Sequence, residues 1–252
     1  LEKLYTLNPD YISCTYGAGG TNVGKNLEVL KKIKADGKCT PVTHFTCVAN
    51  TKEGIKDQLQ TYLDNGIDHM LALRGDIPFG WTGTNGDLHY ATELVKFVRK
   101  EFGDKFTIAV AGSPEGHIAC EDLNASVEYL KQKQDAGASF FVTQLFFDNE
   151  CFYRFRELAD KAGITVPITA GIMPFMGKSQ ISRMVFMCGA SLPSPVIKIL
   201  AKYENDPESL QAAGVDYAAR QLCDLKEHGA AGLHLYTMNR PAIAATIMER
   251  LG

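Results

Sequence analysis

The sequence predicts an α/β fold of the (β/α)8 TIM-barrel type, with the first strand absent from the chain as given. Three observations lead there. Short apolar runs alternate with helical patterns along the whole chain, which implies a parallel sheet covered by helices. Seven such apolar runs can be counted. The chain also opens in what reads as the end of a helix, Leu1 to Leu7, so the unit to which that helix belongs lacks its strand. One strand upstream would complete the eight that a barrel needs. A doubly wound sheet fits the alternation as well, and the strand count is what favours the barrel.

Taken in order, the first apolar run is Tyr11 to Cys14, followed by the glycine-rich turn Thr15 to Gly20 and a helix with Leu27, Leu30 and Ile33 at helical spacing, closed by Asp36-Gly37. The second run is Pro41 to Cys47. Asn50 with Glu53 then resembles a capping box, ahead of an apolar face of Ile55, Leu59, Tyr62 and Leu63 that Gly66 ends. Leu71 to Pro78 is the third strand: its apolar residues end in Arg74, Gly75 and Asp76, and Pro78 closes it. A loop with the only tryptophan, Trp81, leads to a helix bearing Leu94, Phe97 and Val98. The fourth strand is Phe106 to Ala111, with Leu123, Val127 and Leu130 in its helix; the fifth is Phe140 to Gln144, with Phe155, Leu158 and Ala159. The sixth, Ile168 to Pro174, precedes a helix around Ile181, Val185 and Met187. A longer helical stretch from Ser194 to His228 breaks at Asp206-Pro207. The seventh strand, Gly232 to Tyr236, leads through Arg240 to a last helix ending at Leu251. No linker or low-complexity tract interrupts this, so residues 1–252 read as one domain.

Composition narrows the function. The 252 residues are 45% hydrophobic and 22% charged, with a net charge of −3, ordinary values for a globular protein with a sizeable core. No basic run points to nucleic acid or an anionic membrane. The apolar stretches are too short to cross a bilayer, and no signal-peptide pattern opens the chain. Seven scattered cysteines without a CxxC pair are expected to be reduced, mostly small core residues, in a cytoplasmic protein.

In a barrel the carboxyl ends of the strands converge on one mouth, where such proteins keep their sites. The polar groups at those ends are Thr15, His44, Arg74, Asp76, Glu115, His117, Gln144, Tyr236 and Arg240. Each has a plainer reading. His44 fits a hydrogen-bonded core histidine, Arg74 and Asp76 could pair with each other, Glu115 could start the next helix, and Gln144 could satisfy a backbone group. Nine polar groups at the same end of successive strands are harder to explain as structure alone. The chain has no GxGxxG after a strand, no GxxxxGK[ST], no GxSxG elbow, and no histidine or cysteine spacing suited to zinc. A Schiff-base lyase would want a lysine at a strand end, and none of the strands ends in one.

Six segments in order carry a family resemblance: Thr15 to Ala18, His44 to Cys47, Leu73 to Pro78, Pro114 to His117, Thr143 to Asp148, and Leu235 to Arg240. Together they resemble the motif series of methylenetetrahydrofolate reductase, over the whole chain. The resemblance implies FAD as cofactor, reduced by NADH or NADPH, and transfer of a hydride from the flavin to methylenetetrahydrofolate to give methyltetrahydrofolate. It implies that Thr15, His44, Arg74, Gly75, Asp76, Tyr90, Ala91, Ala111, His117 and Lys133 hold the flavin. Gln144, Tyr236 and Arg240 would contact the folate, Arg240 near its glutamate tail, and Asp76 and Gln144 would be catalytic. Asp76 would stabilise the cationic iminium that accepts the hydride. A homo-oligomer without nucleic-acid or membrane partners is also expected.

The sequence departs from the family pattern in three places. The proton-donating glutamate of the family's first strand has no counterpart in the chain as given. Ser113 stands where many members have a tyrosine. Lys178 stands where an aromatic that stacks on the nicotinamide or folate is expected, with Phe175 too early. These departures motivate an alternative, a flavin-binding subunit that receives electrons from a partner protein.

Overall fold

The computed structural model describes residues 1–15 and 23–251. The Tyr16-Gly17-Ala18 part of the first motif lies outside them. Among the described residues there are seven parallel strands with helices between, and the chain falls into two compact units.

The first unit comprises Leu1–Ala111 and Gln132–Phe140. It holds α1 (Glu2–Tyr5), β1 (Tyr11–Cys14), α2 (Val23–Asp36), β2 (Thr40–Thr46), α3 (Lys52–Asp64), β3 (His69–Leu73), α4 (Ala91–Phe102) and β4 (Thr107–Gly112, its last residue excepted). The strands pair in chain order, with Ser13 beside Val42, His44 beside Leu71, and Leu71 beside Ala109. Their outer face is covered by α2, α3 and α4. Ile55, Leu59 and Tyr62, at helical spacing, are wholly or almost wholly buried, and the Tyr62 ring meets Phe45 of β2 edge-on at 6.4 Å. Each such side chain contributes roughly 1.5–3 kcal/mol of burial free energy. The cap of α3 differs from the capping box expected at Asn50: Thr51 is the N-cap, accepting from the Gly54 N–H at 3.1 Å, while the Asn50 amide donates back to the Thr46 carbonyl. Away from the strand ends, the Arg99 guanidinium donates to the carbonyls of Gly103, Phe106 and Gly137, tying the end of α4 to the loops beside β4 and β5.

The second unit comprises Gly112–Lys131 and Phe141–Gly252. It holds most of α5 (Leu123–Asp135) and β5 (Phe140–Thr143), then α6 (Asn149–Lys161), β6 (Ile168–Ile172), α7 (Lys178–Cys188), α8 (Ser194–Lys202), α9 (Pro207–Glu227), β7 (Gly232–Leu235) and α10 (Pro241–Leu251). β5, β6 and β7 pair in order, with Phe141 beside Ile168 and Gly171 beside His234. The break expected at Asp206-Pro207 separates α8 from α9, and the Asp206 carboxylate caps α9 by accepting from the Ser209 N–H at 3.1 Å. Phe147, Phe175, Ile181 and Val196 are core residues of this unit.

All seven cysteines are free thiols, as expected, but only Cys47 is buried. The other six are part-exposed. No helix among the described residues is long and apolar enough to cross a membrane.

Candidate functional site

In the first unit the polar groups gather where β2 and β3 end. His44 and Thr46, two residues apart, share the face of β2 opposite Phe45. His44 is not the hydrogen-bonded core histidine of the plainer reading. The residue is part-exposed, yet Nε2 is enclosed and has no hydrogen-bond partner among the described residues; the same holds for the Thr46 hydroxyl. Burial pushes the imidazole down to about 4, so it is neutral at pH 7. Two enclosed polar atoms without partners cost roughly 1–3 kcal/mol each, which a bound polar molecule would recover.

β3 stops at Leu73, earlier than the apolar pattern suggested, because Gly75 turns the chain at φ +89°. A Cβ there would stand 2.6 Å from Val48 Cγ1 and 3.0 Å from Thr46 Cβ, so conformation and space both demand glycine. The Arg74 carbonyl accepts from the Val48 N–H at 2.9 Å, and its Nε donates to the Gly75 carbonyl at 3.2 Å. Among the described residues its guanidinium pairs with no carboxylate. Asp76 is exposed and pairs with no cation, so the mutual Arg74–Asp76 pair is not formed.

Thr15 is held by a residue that the sequence reading missed. Buried Asn26 of α2 donates to the carbonyls of Cys14 (2.9 Å) and Thr15 (3.3 Å), while its Oδ1 accepts from Thr43 Oγ1 (3.2 Å) and the Tyr62 hydroxyl (2.8 Å). The loop after β3 is pinned to the turn after β2. The Ala49 N–H donates to the Thr84 carbonyl, the Asp87 N–H to the Asn50 carbonyl, and the Lys52 N–H to the Asp87 carboxylate. Tyr90 and Ala91 follow at the start of α4, with the Tyr90 ring exposed. Lys133 reaches from α5 to the end of β4, where its ammonium donates to the Ala111 carbonyl at 2.9 Å. A lysine therefore does stand at a strand end, delivered from a helix rather than by the strand.

In the second unit Gln144 follows β5. Its Oε1 accepts from the Leu145 N–H at 2.9 Å, as the plainer reading held, and its amide nitrogen makes no hydrogen bond among the described residues. The loop beyond it is fastened by α9, where Tyr217 donates to the Phe147 carbonyl and Gln221 to the Phe146 carbonyl. The Tyr236 hydroxyl donates to the Thr143 carbonyl at 2.8 Å, laying the ring across Gly171. A Cβ on Gly171 would lie 2.3 Å from the Thr143 oxygen and 2.9 Å from Tyr236 Cε2. Arg240 is exposed behind a turn in which Met238 and Asn239 both have positive φ. His117 is exposed too, with Nδ1 accepting from the Ala119 N–H at 3.1 Å. Glu115 does not start a helix: both its oxygens accept from the Ser191 N–H, at 3.2 and 3.0 Å. Phe175 is a core residue, edge-on to Phe147, and Lys178 pairs with Glu204. A cavity of about 260 Å³ between α9 and α10 contains none of these residues.

Fold and strand-end chemistry define the class: an α/β protein in each of whose units polar side chains follow the carboxyl ends of parallel strands. The family model of methylenetetrahydrofolate reductase matches residues 1–252, and the chain belongs to that family. It is 34% identical to a 5,10-methylenetetrahydrofolate reductase of Pectobacterium carotovorum, over all of this chain and 83% of that one. The Escherichia coli protein of the same description is 33% identical with the same coverage. Methylenetetrahydrofolate reductase (NADH) 1 of Arabidopsis thaliana is 33% identical, but the chain spans only 45% of its length. Among solved structures, a Clostridium thermocellum protein that binds two copies of 5-methyl-5,6,7,8-tetrahydrofolic acid superposes with a TM-score of 0.67, over 99% of this chain and 84% of its own. At 15% identity that is a likeness of fold.

Proposed function

We propose that residues 1–252 are the catalytic domain, of the TIM-barrel class, of a flavin-dependent reductase that converts methylenetetrahydrofolate to methyltetrahydrofolate. Family membership supports the reaction, and the bacterial relatives, matched over 83% of their length, support its being carried by a chain of this extent. One observation carries the flavin part of the reading: polar chemistry is left unsatisfied where β2 and β3 end. Among the described residues His44 Nε2 and Thr46 Oγ1 are enclosed without partners and Arg74 holds a cation with no carboxylate, so the set fits a ligand that has both uncharged polar atoms and an anionic group.

In this reading Thr15, His44, Arg74, Gly75, Asp76, Tyr90, Ala91, Ala111, His117 and Lys133 hold FAD, with Arg74 and Lys133 suited to its pyrophosphate or its electron-rich ring edge. When bound, FAD supplies a hydride that it has taken from NADH or NADPH. The chain's own residues orient and stabilise. Neutral His44 hydrogen-bonds without adding charge. The Asp76 carboxylate stabilises the positive charge of the iminium form of the folate. Gln144, whose carbonyl is already engaged, offers its amide N–H groups to the pterin, Tyr236 offers its ring, and Arg240 faces the glutamate tail. The test is direct. Purified protein supplied with FAD should be yellow and should bleach with NADH or NADPH under anaerobic conditions. A preparation that takes up no FAD would refute the reading.

A further inference from the structure

Resting on the flavin reading, we infer that Thr46 is a further flavin-binding residue, its hydroxyl meeting an uncharged polar atom of the cofactor beside His44. The argument is one of unsatisfied chemistry in a defined place. Thr46 is only 4% exposed, yet its Oγ1 has no hydrogen-bond partner among the described residues. Threonine on a strand ordinarily needs no partner when it faces water; enclosed, it does. Thr46 lies on the same face of β2 as His44, about 6.6 Å further along the strand at the usual rise per residue, and His44 Nε2 is the other enclosed atom without a partner. Its Cβ is 3.0 Å from where a Gly75 Cβ would stand, so the side chain begins beside the turn that contains Arg74 and Asp76. The two orphans are uncharged, so an uncharged part of the flavin suits them, leaving the Arg74 guanidinium for the phosphates.

The inference makes opposite demands on the protein with and without cofactor. Thr46→Val keeps the shape and removes the orphan. Flavin-free protein should melt at the wild-type temperature or above it, while the dissociation constant for FAD, read by flavin fluorescence, should rise about tenfold, the value of one hydrogen bond. Thr46→Ser and Thr46→Ala, which differ from each other by the hydroxyl alone, form a second pair: the serine variant should bind FAD several-fold more tightly than the alanine variant. Equal FAD affinity within both pairs, or a Thr46→Val protein that melts lower and binds FAD as well as wild type, would overturn the inference while leaving the flavin reading intact. Wild-type protein that binds no FAD would overturn both.

Discussion

Gly171→Ala tests the close packing where β5, β6 and β7 end. The added methyl would stand 2.3 Å from the Thr143 carbonyl oxygen and 2.9 Å from Tyr236 Cε2, inside contact distance of a backbone atom that cannot swing away. β6 must shift, or Tyr236 must leave, breaking its 2.8 Å hydrogen bond to the Thr143 carbonyl. Overpacking costs typically 1–3 kcal/mol and the lost hydrogen bond about 1 kcal/mol, a total of about 3 kcal/mol. For a chain of this length that lowers the melting temperature by roughly 6–12 °C. Tyr236→Phe, which removes only the hydroxyl, should cost about 1 kcal/mol and roughly 2–4 °C. Calorimetry on the two variants separates crowding from hydrogen bonding, and steady-state kinetics should show a raised KM for methylenetetrahydrofolate in Gly171→Ala. A Gly171→Ala protein that melts within about 2 °C of wild type with an unchanged KM would refute the close approach of the three strands.

The two remaining predictions concern the first unit. Asp76→Asn should slow reduction of the folate by roughly 10²–10³-fold, the usual loss when a preorganised charge is removed, while reduction of the flavin by the nicotinamide slows far less; equal losses in the two half-reactions would defeat the role given to Asp76. The imidazole of His44, held at about 4 by burial, is depressed below its unfolded value. Its contribution to stability is therefore present above pH 6.5 and lost as pH falls toward 4, at about 1.4 kcal/mol per pH unit, so about 3 kcal/mol in all. Urea unfolding of flavin-free protein at pH 7 and pH 4 should show that loss, and His44→Gln should flatten it; an equal acid loss in His44→Gln would place the titration elsewhere.

Much of the fold was legible because period and punctuation agreed: the break at Asp206-Pro207 separates two helices, and the seven apolar runs are seven strands. Element ends were less legible. Asn50 and Thr51 are both good caps, and only the direction of their side chains decides between them; Asn50 turns back to the Thr46 carbonyl and leaves the cap to Thr51. The run from Leu71 to Pro78 reads as one strand until Gly75 adopts a conformation that pattern alone does not announce. Of the candidate site, the charged and aromatic strand-end residues stood out by type. Thr46 and Asn26 did not, since a threonine in a strand reads as β-propensity and an asparagine in a helix as a surface residue. Their roles depend on neighbours far along the chain, such as Tyr62, 36 positions from Asn26. Phe175 has the ring type that a stacking site uses, but packing against Phe147 and Tyr217 makes it a core residue.

Asn26 also limits what the end of β1 tolerates. Its amide is oriented by four partners: two hydroxyls address its oxygen and two carbonyls its nitrogen. Asn26→Asp would keep nearly the same shape. A donor group would become a negatively charged oxygen turned toward the carbonyls of Cys14 and Thr15, in a place where the residue is 4% exposed and no water can soften the repulsion. The end of β1 would then lose its tether without any change in the site's own side chains. A single substitution outside the strand-end cluster would thus loosen the Thr15 backbone while every strand-end side chain remained chemically intact.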